Sequence, residues 1–440
     1  MSDTSSQKPS QTKPAPSATR RGFLGGTAAA ATAAALPIRS SAQVAGGSTL
    51  RVALVGCGGR GSGAAAQTLL NDGVKLVAMA DAFKDRLENS YNNIKKQHED
   101  KVEVPEENRF VGLHGYKQAI ELADVVILAT PPGFRPLMFE AAVNAGKHIF
   151  MEKPVGVDAP GIRKVLENAR KADEKGLKVV VGLQRHYQIQ YQETLRRYLD
   201  GMAGDFIAAQ AYWNGAGVWV RDRKEGMTEM EYQVLNWYYF NWLCGDHICE
   251  QHIHNLDVIN WFKGEFPVSA QGMGGREVRK GKQFGEIYDH HYVEYTYADG
   301  TKLNSQCRHI KGCWNRVSET IYGSKAVITP GRIVDYSGNV LWSHRGQGDP
   351  NAYEVEHARL YDAIRNDKPL NNAYYGAKST FTSILGRYAT YSGQLVKWDE
   401  ALAANNSLMP DRLEWDADPK VMPDADGNYP VAIPGITKVL

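Results

Sequence analysis

The sequence predicts an α/β protein: an N-terminal doubly wound parallel sheet, then an α+β domain with a large, open, mainly antiparallel sheet. Three observations carry the prediction. The apolar run Leu50 to Val55 ends in Gly56-Cys57-Gly58-Gly59-Arg60-Gly61, a Gly-x-Gly-x-x-Gly loop leading into an Ala-rich helical segment. Apolar runs and helical segments then alternate as far as Leu183. Beyond Asp205 the runs instead alternate apolar with polar residues, as half-exposed strands do.

In the glycine loop, Gly56 makes the tight turn, Gly58 lets a pyrophosphate approach the backbone, and Gly61 lets helix and strand pack closely. The N–H groups of Cys57 to Gly61 at the helix start would face the phosphates. A second run, Val74 to Ala80, ends at Asp81, about 20 residues past the last glycine, where a ribose-binding acid belongs. Lys84 to His98 reads as a charged helix, and Glu99 to Asn108 as a polar loop. Asp124 to Thr130, His148 to Met151 and Leu177 to Leu183 read as further buried strands. Ligands sit beyond the carboxyl ends of such strands, which puts Thr130, Pro131, Glu152, Lys153 and Gln184 at the cofactor. In the second domain, Gly215 to Phe240 reads as a long loop rich in Trp, Tyr and Arg, and Trp242 to Trp261 as one helix dense in His and acid. Strands follow at His290 to Tyr297, Lys302 to Arg308, Val317 to Tyr322 and Lys325 to Thr329, then helices at Val355 to Asn366 and Ala377 to Ser392.

The first 42 residues belong to another regime. A Ser/Pro/Lys-rich start is followed by Arg20-Arg21-Gly22-Phe23-Leu24, a short Ala/Thr run and Ser40-Ser41-Ala42. This pattern is similar to a twin-arginine export signal cut before Gln43, and its apolar run is too short to span a bilayer. The expected organisation is a signal at 1–42, a nucleotide-binding domain at 48–185, a substrate domain at 186–398 and a C-terminal strap at 399–440. A net charge of +2 and 43% hydrophobic residues describe globular material with no basic field for nucleic acid. Five cysteines in a chain of this length are no disulfide framework.

Ala129-Thr130-Pro131-Pro132, together with Ala145-Gly146-Lys147-His148-Ile149-Phe150-Met151-Glu152-Lys153-Pro154, closely resembles the Gfo/Idh/MocA family from about Leu50 to about Trp398. The resemblance implies a Rossmann domain with an open-sheet partner, sugar or inositol dehydrogenase chemistry, and pairing of subunits through the open sheet. It also implies a catalytic His in an Asp-x-Gly-x-His-x-x-Asp helix. Here the matching stretch is Glu250-Gln251-His252-Ile253-His254-Asn255-Leu256-Asp257, with Glu250 and His252 departing from the pattern. Arg135 stands where the family often has His.

Oxidising a carbinol needs a base for the hydroxyl proton while a nicotinamide takes the hydride. Lys153 can hold the oxygen and His254 can accept the proton, with Glu250 four residues earlier expected to orient His254. Arg185, His186 and Tyr187, at the end of the last parallel strand, are expected at the substrate with His252 and Asp257. Trp213, Trp219, Trp237, Tyr238, Tyr239 and Trp242 could offer faces to a sugar or could be core. Asp246, His247, Cys249, Glu250, His252 and His254 resemble metal ligands without a defined open three-ligand set, so no metal is expected. Asp81 favours NAD, since a carboxylate repels the 2′-phosphate of NADP, and an exported enzyme must hold it tightly. The activity expected is oxidation of a sugar or sugar derivative by hydride transfer. The alternative is a redox-neutral, NAD-dependent glycosidase that oxidises transiently and eliminates the aglycone.

Overall fold

The computed structural model describes residues 49–440, so the leader and its cleavage point lie outside the described residues. The first lobe is built from β1 (Leu50–Val55), α1 (Gly59–Leu69), β2 (Val74–Asp81), α2 (Lys84–Gln97), β3 (Arg109–Val111), α3 (Gly115–Glu121), β4 (Val125–Leu128), α4 (Arg135–Asn144), β5 (His148–Met151), α5 (Ala159–Glu174) and β6 (Val179–Val181). The six strands run parallel in the order β3-β2-β1-β4-β5-β6. β1 and β4 are neighbours joined through a crossover, and the space beyond their carboxyl ends is the switch point where such sheets bind ligands. Every residue of β4 is buried, which is why it reads as an unbroken apolar run. β3 carries no such signal, because its three residues sit at the sheet edge and none is buried.

The second lobe holds α6 (Ile189–Leu199), β7 (Phe206–Gly215), α7 (Glu229–Leu235), α8 (Asn241–Cys244), α9 (His247–Glu250), α10 (Ile253–Lys263), β8 (Ser269–Gly275), β9 (His290–Thr296), β10 (Lys302–His309), β11 (Arg316–Gly323), β12 (Ala326–Thr329), β13 (Arg332–Asp335) and β14 (Val340–Ser343). Then come α11 (Ala352–Arg365), α12 (Ala373–Ser392), β15 (Val396–Lys397) and α13 (Trp398–Ala403). The nine strands order as β14-β13-β12-β11-β7-β10-β9-β8-β15 and pair antiparallel except for β7 with β10. One face buries Ala209, Ala211, Val293, Tyr295, Leu303 and Ile321 beneath α10 and α12. The opposite face carries the half-buried polar side chains Gln210, Tyr212, Tyr292, Asn304 and Tyr322, which hydrogen-bond among themselves.

Three expectations change here. The stretch from Trp242 to Trp261 is not one helix. It breaks at Gly245 and Asp246, both at positive φ (73° and 71°), and again at Gln251-His252. Side chains four apart across those breaks therefore do not share a helix face. The 215–240 stretch is not bare loop either, since Thr228 and Glu231 form a capping box that starts α7. Nor are the lobes strictly sequential. α11 returns to the first lobe, where His357 Nδ1 lies 2.9 Å from Thr68 Oγ1 on α1.

Candidate active site

The switch-point cleft has a volume of about 340 Å³ and is floored by the glycine loop. Gly56 takes φ +96°, and a Cβ there would meet the Ala129 carbon and the Thr130 nitrogen at 2.6 Å. At Gly61 a Cβ would overlap the Gly56 carbonyl, so both must be glycine. Gly58 and Gly59 have nothing within 4 Å of such a Cβ, and that open space is where a pyrophosphate would sit over the start of α1. Asp81 lines the cleft and accepts from Cys57 N at 2.6 Å and Phe83 N at 2.9 Å, with burial raising its carboxyl. Thr130 and Pro131 form the wall at the end of β4. Floor, wall and acid fit a dinucleotide.

Beside the cleft, Lys153 Nζ donates to the Glu250 main-chain oxygen at 2.8 Å and to its carboxylate at 3.2 Å. An ammonium has three donors, so one remains for a substrate oxygen. Burial raises the Glu250 carboxyl, while Lys153 works in the opposite direction. His254 is buried, stacks on Trp213 at 6.0 Å, and has no hydrogen-bond partner at Nδ1. Burial, then the positive charges of Lys153 and Arg185, hold its imidazole well below the usual range. It is therefore neutral, a free acceptor next to a cation. Gln184 Oε1 is likewise buried without a partner.

A family model described as an oxidoreductase family NAD-binding Rossmann fold matches residues 50–183, and the same family's C-terminal α/β domain matches residues 220–387. The chain belongs to the Gfo/Idh/MocA family. An inositol 2-dehydrogenase of Rhizobium meliloti is 25% identical over 289 residues, 64% of this chain and 75% of the relative. A 2,7-anhydro-N-acetylneuraminate hydratase of Escherichia coli is 24% identical over 180 residues, 41% of this chain and 44% of the relative. The match thus spans under half of the hydratase's length. The crystal structure of a myo-inositol 2-dehydrogenase from Lactobacillus plantarum superposes with a TM-score of 0.60 at 22% identity, covering 79% of this chain and 99% of the other. At that identity the likeness is one of fold.

Within this Gfo/Idh/MocA frame, several residues expected at the ligand turn away from it. Glu250 does not orient His254, because the chain break between α9 and α10 sends its carboxylate to Lys153 instead. Arg185 is ion-paired with the buried Glu319, which Asn255 and Tyr191 also approach. Tyr187 donates to Asn372 Oδ1 at 2.8 Å and packs with Leu360 and Tyr361 on the first lobe's side. His252 is wholly buried with Nε2 2.6 Å from Ser305 Oγ, and burial pushes its imidazole down to about 3. Asp257 accepts from Ser379 Oγ at 2.6 Å and pairs with His186 Nε2 at 2.8 Å, while His186 is stacked between Trp261 and Tyr375. It steadies His186 rather than meeting a ligand. The Cys57 side chain is buried and its N–H is spent on Asp81, so it does not line the cleft. Arg60 lines the cleft but commits its guanidinium to Glu152, 3.7 Å from Glu356. Glu356 is fully buried with neither oxygen hydrogen-bonded, and burial, with Glu152 next, raises its carboxyl strongly against the pull of Arg60.

Arg135, in the position where the family often has His, is buried beneath the β4 end. There it donates to Thr130 O at 2.6 Å and to Leu128 O, and burial lowers it to about 10. It shapes the wall of the cleft. Among the described residues Asp246, His247 and His291 cluster as metal ligands might. Both Asp246 oxygens are already taken, by His247 N and Nδ1 on one side and by Tyr288 N and Tyr391 Oη on the other. The cluster is a hydrogen-bonded support for α9. His291 lies on β9, and no spacing in the sequence links it to Asp246. Of the aromatic run, Tyr239 and Trp242 are core, Tyr238 lies near His309 with Glu250 as a charged neighbour, and Trp219 and Trp237 line the dinucleotide cleft.

Proposed function

We propose that this protein oxidises a carbinol of a sugar or sugar derivative by hydride transfer to a tightly held NAD. The carrying observation is the meeting of Lys153, Glu250 and an unpartnered neutral His254 beside the dinucleotide cleft. Gly58, Gly59, the start of α1, Asp81, Thr130 and Pro131 would hold the dinucleotide, which when bound supplies the hydride acceptor. Asp81 supports NAD over NADP. The residues of the chain then handle the oxygen and its proton. The third N–H of Lys153 donates to the substrate hydroxyl oxygen and stabilises the alkoxide as charge develops. Glu250 fixes Lys153 through two acceptors and balances its charge. His254 takes the hydroxyl proton, and the adjacent cations return it readily because they disfavour the imidazolium.

A redox-neutral variant of the same cycle is the second reading, in which transient oxidation permits elimination of a leaving group before the ring is reduced again. The hydratase among the relatives favours keeping it, as does a cleft roofed by the second lobe. Export by the twin-arginine route, suggested by Arg20-Arg21, and pairing of subunits through the exposed face of the nine-stranded sheet complete the proposal. The test is a panel of sugars, polyols and glycosides with products identified by mass. An oxidised sugar supports the first reading, and a released aglycone with unoxidised sugar supports the second. No turnover with any of them overturns both.

A further inference from the structure

The floor of the dinucleotide cleft belongs to the first lobe, but its roof does not. Trp219, Arg221, Val234 and Trp237, all from the 216–240 stretch of the second lobe, line it opposite Asp81, Phe83 and Arg86. The roof is internally braced. Trp219 meets Trp237 edge-on at 5.7 Å, Arg221 lies 5.0 Å over the Trp219 ring, and Tyr239 Oη donates to Trp219 O at 2.9 Å. Arg221 N donates to Asn236 Oδ1 at 2.9 Å, which ties the two ends of the stretch together.

The roof is also buckled from outside. Thr228 Oγ1 donates to Trp415 O at 2.8 Å and Gln233 Nε2 to Val421 O at 2.8 Å, while Tyr429 and Arg223 share Glu229. The same C-terminal segment grips the first lobe, with Trp415 5.8 Å from the Phe83 ring and Glu414 3.0 Å from His114 Nε2. Phe83 is two residues past Asp81 and lines the cleft, so the buckle closes at its adenosine-side rim. The tail lies beyond the stretch that matches the family's C-terminal domain, which ends at residue 387.

We propose that residues 216–240, buckled by the tail at 414–429, form a clamp that makes the dinucleotide a resident group of this enzyme instead of an exchanging co-substrate. The inference rests on the dinucleotide reading of the cleft. A nucleotide seated on Gly58 and Gly59 has a floor and wall from one lobe and an aromatic, cationic roof from the other. It can leave only if the roof lifts, and lifting strains the contacts of Trp415 with Phe83 and Thr228. Aromatic faces suit a purine, and a guanidinium suits a phosphate.

The test uses the full chain loaded with NADH and chased with excess NAD, following loss of NADH fluorescence, and compares wild type with Trp415→Ala and Trp219→Ala. Nucleotide left after gel filtration is also counted by denaturing the protein. The clamp predicts slow release and near-stoichiometric retention in wild type. Both variants should release about tenfold or more faster, the scale of one lost base-stacking contact. Val340→Ala, half-exposed on β14 at the edge of the nine-stranded sheet, should release at the wild-type rate. Trp219 is 37% exposed, so its variant reports even if Trp415→Ala fails to fold. Release rates equal to wild type in the variants overturn the clamp and leave the dinucleotide reading intact. Failure of every protein, wild type included, to bind NADH overturns both.

Discussion

The glycine loop and the α9–α10 stretch are both short segments, yet they are built to work differently. In the loop, backbone groups carry the work. Gly56 and Gly61 are glycine because a Cβ would strike neighbouring main chain, and Gly58 and Gly59 because the space above them must stay open. In α9–α10 the side chains carry it, and partners far away in sequence decide what each one does. Glu250 answers to Lys153, Asn255 to Glu319 and Asp257 to Ser379, separations of 97, 64 and 122 residues. Backbone function follows from local spacing, whereas side-chain function waits for the tertiary fold.

Lys153→Ala tests the contrast most severely. Turnover should fall by about a thousandfold or more, because the alkoxide loses the Lys153 ammonium and the buried Glu250 loses its cationic partner. Nucleotide retention should match wild type, since the backbone site is untouched. Loss of both together would mean that the two regions are not separable. His254→Ala should cost about a hundredfold to ten-thousandfold in kcat, the usual range for a positioned base. With the imidazole held below its ordinary value, the acid limb of kcat/KM in wild type should lie below about pH 6.5. A limb at or above that value would contradict the neutral-base role.

The buried histidines give a third, smaller effect that falls mainly on the second lobe. Burial pushes His247 down to about 4 and His252 down to about 3. Between those values and about pH 6.5 the unfolded chain binds protons that the native chain cannot, so stability is complete above about 6.5 and falls on acidification. Each such histidine contributes at most about 1.4 kcal/mol per pH unit across that window. His252→Gln should therefore lose less melting temperature than wild type between pH 6.5 and 5, as read by scanning fluorimetry. An identical slope would show that His252 is not buried neutral. The smallest effect belongs to Tyr187→Phe. Loss of its bond to Asn372 should cost about 1 kcal/mol of stability and leave KM unchanged, whereas a raised KM would restore Tyr187 to the substrate.

The sequence made the parallel sheet legible because its strands are buried on both faces and its loop chemistry is local. The Glu-Lys-Pro and His-x-x-Asp elements are local as well, and they single out Lys153 and His254 for the chemistry proposed above. The partner of Glu250 was not legible. A positive φ at Asp246 interrupts what periodicity reads as one helix, and Asp has no composition signal for that conformation. The edge strand β3 and the inward turns of Arg185 and Tyr187 were hidden for a related reason, since polar residues at the end of a strand look alike whether they face ligand or core. Trp219 and Trp237 were visible as an aromatic cluster, but only the fold shows them on the dinucleotide side.

Transfer of a labelled hydrogen tests the central claim most directly. The loaded protein is incubated with a sugar or polyol substrate deuterated at the carbinol carbon, then denatured, and the released nucleotide is weighed by mass spectrometry. Oxidation at that carbon predicts deuterium on the nicotinamide of wild type and none on that of Lys153→Ala. Product formation by wild type with every deuterium still on the sugar and an unlabelled nucleotide would contradict it.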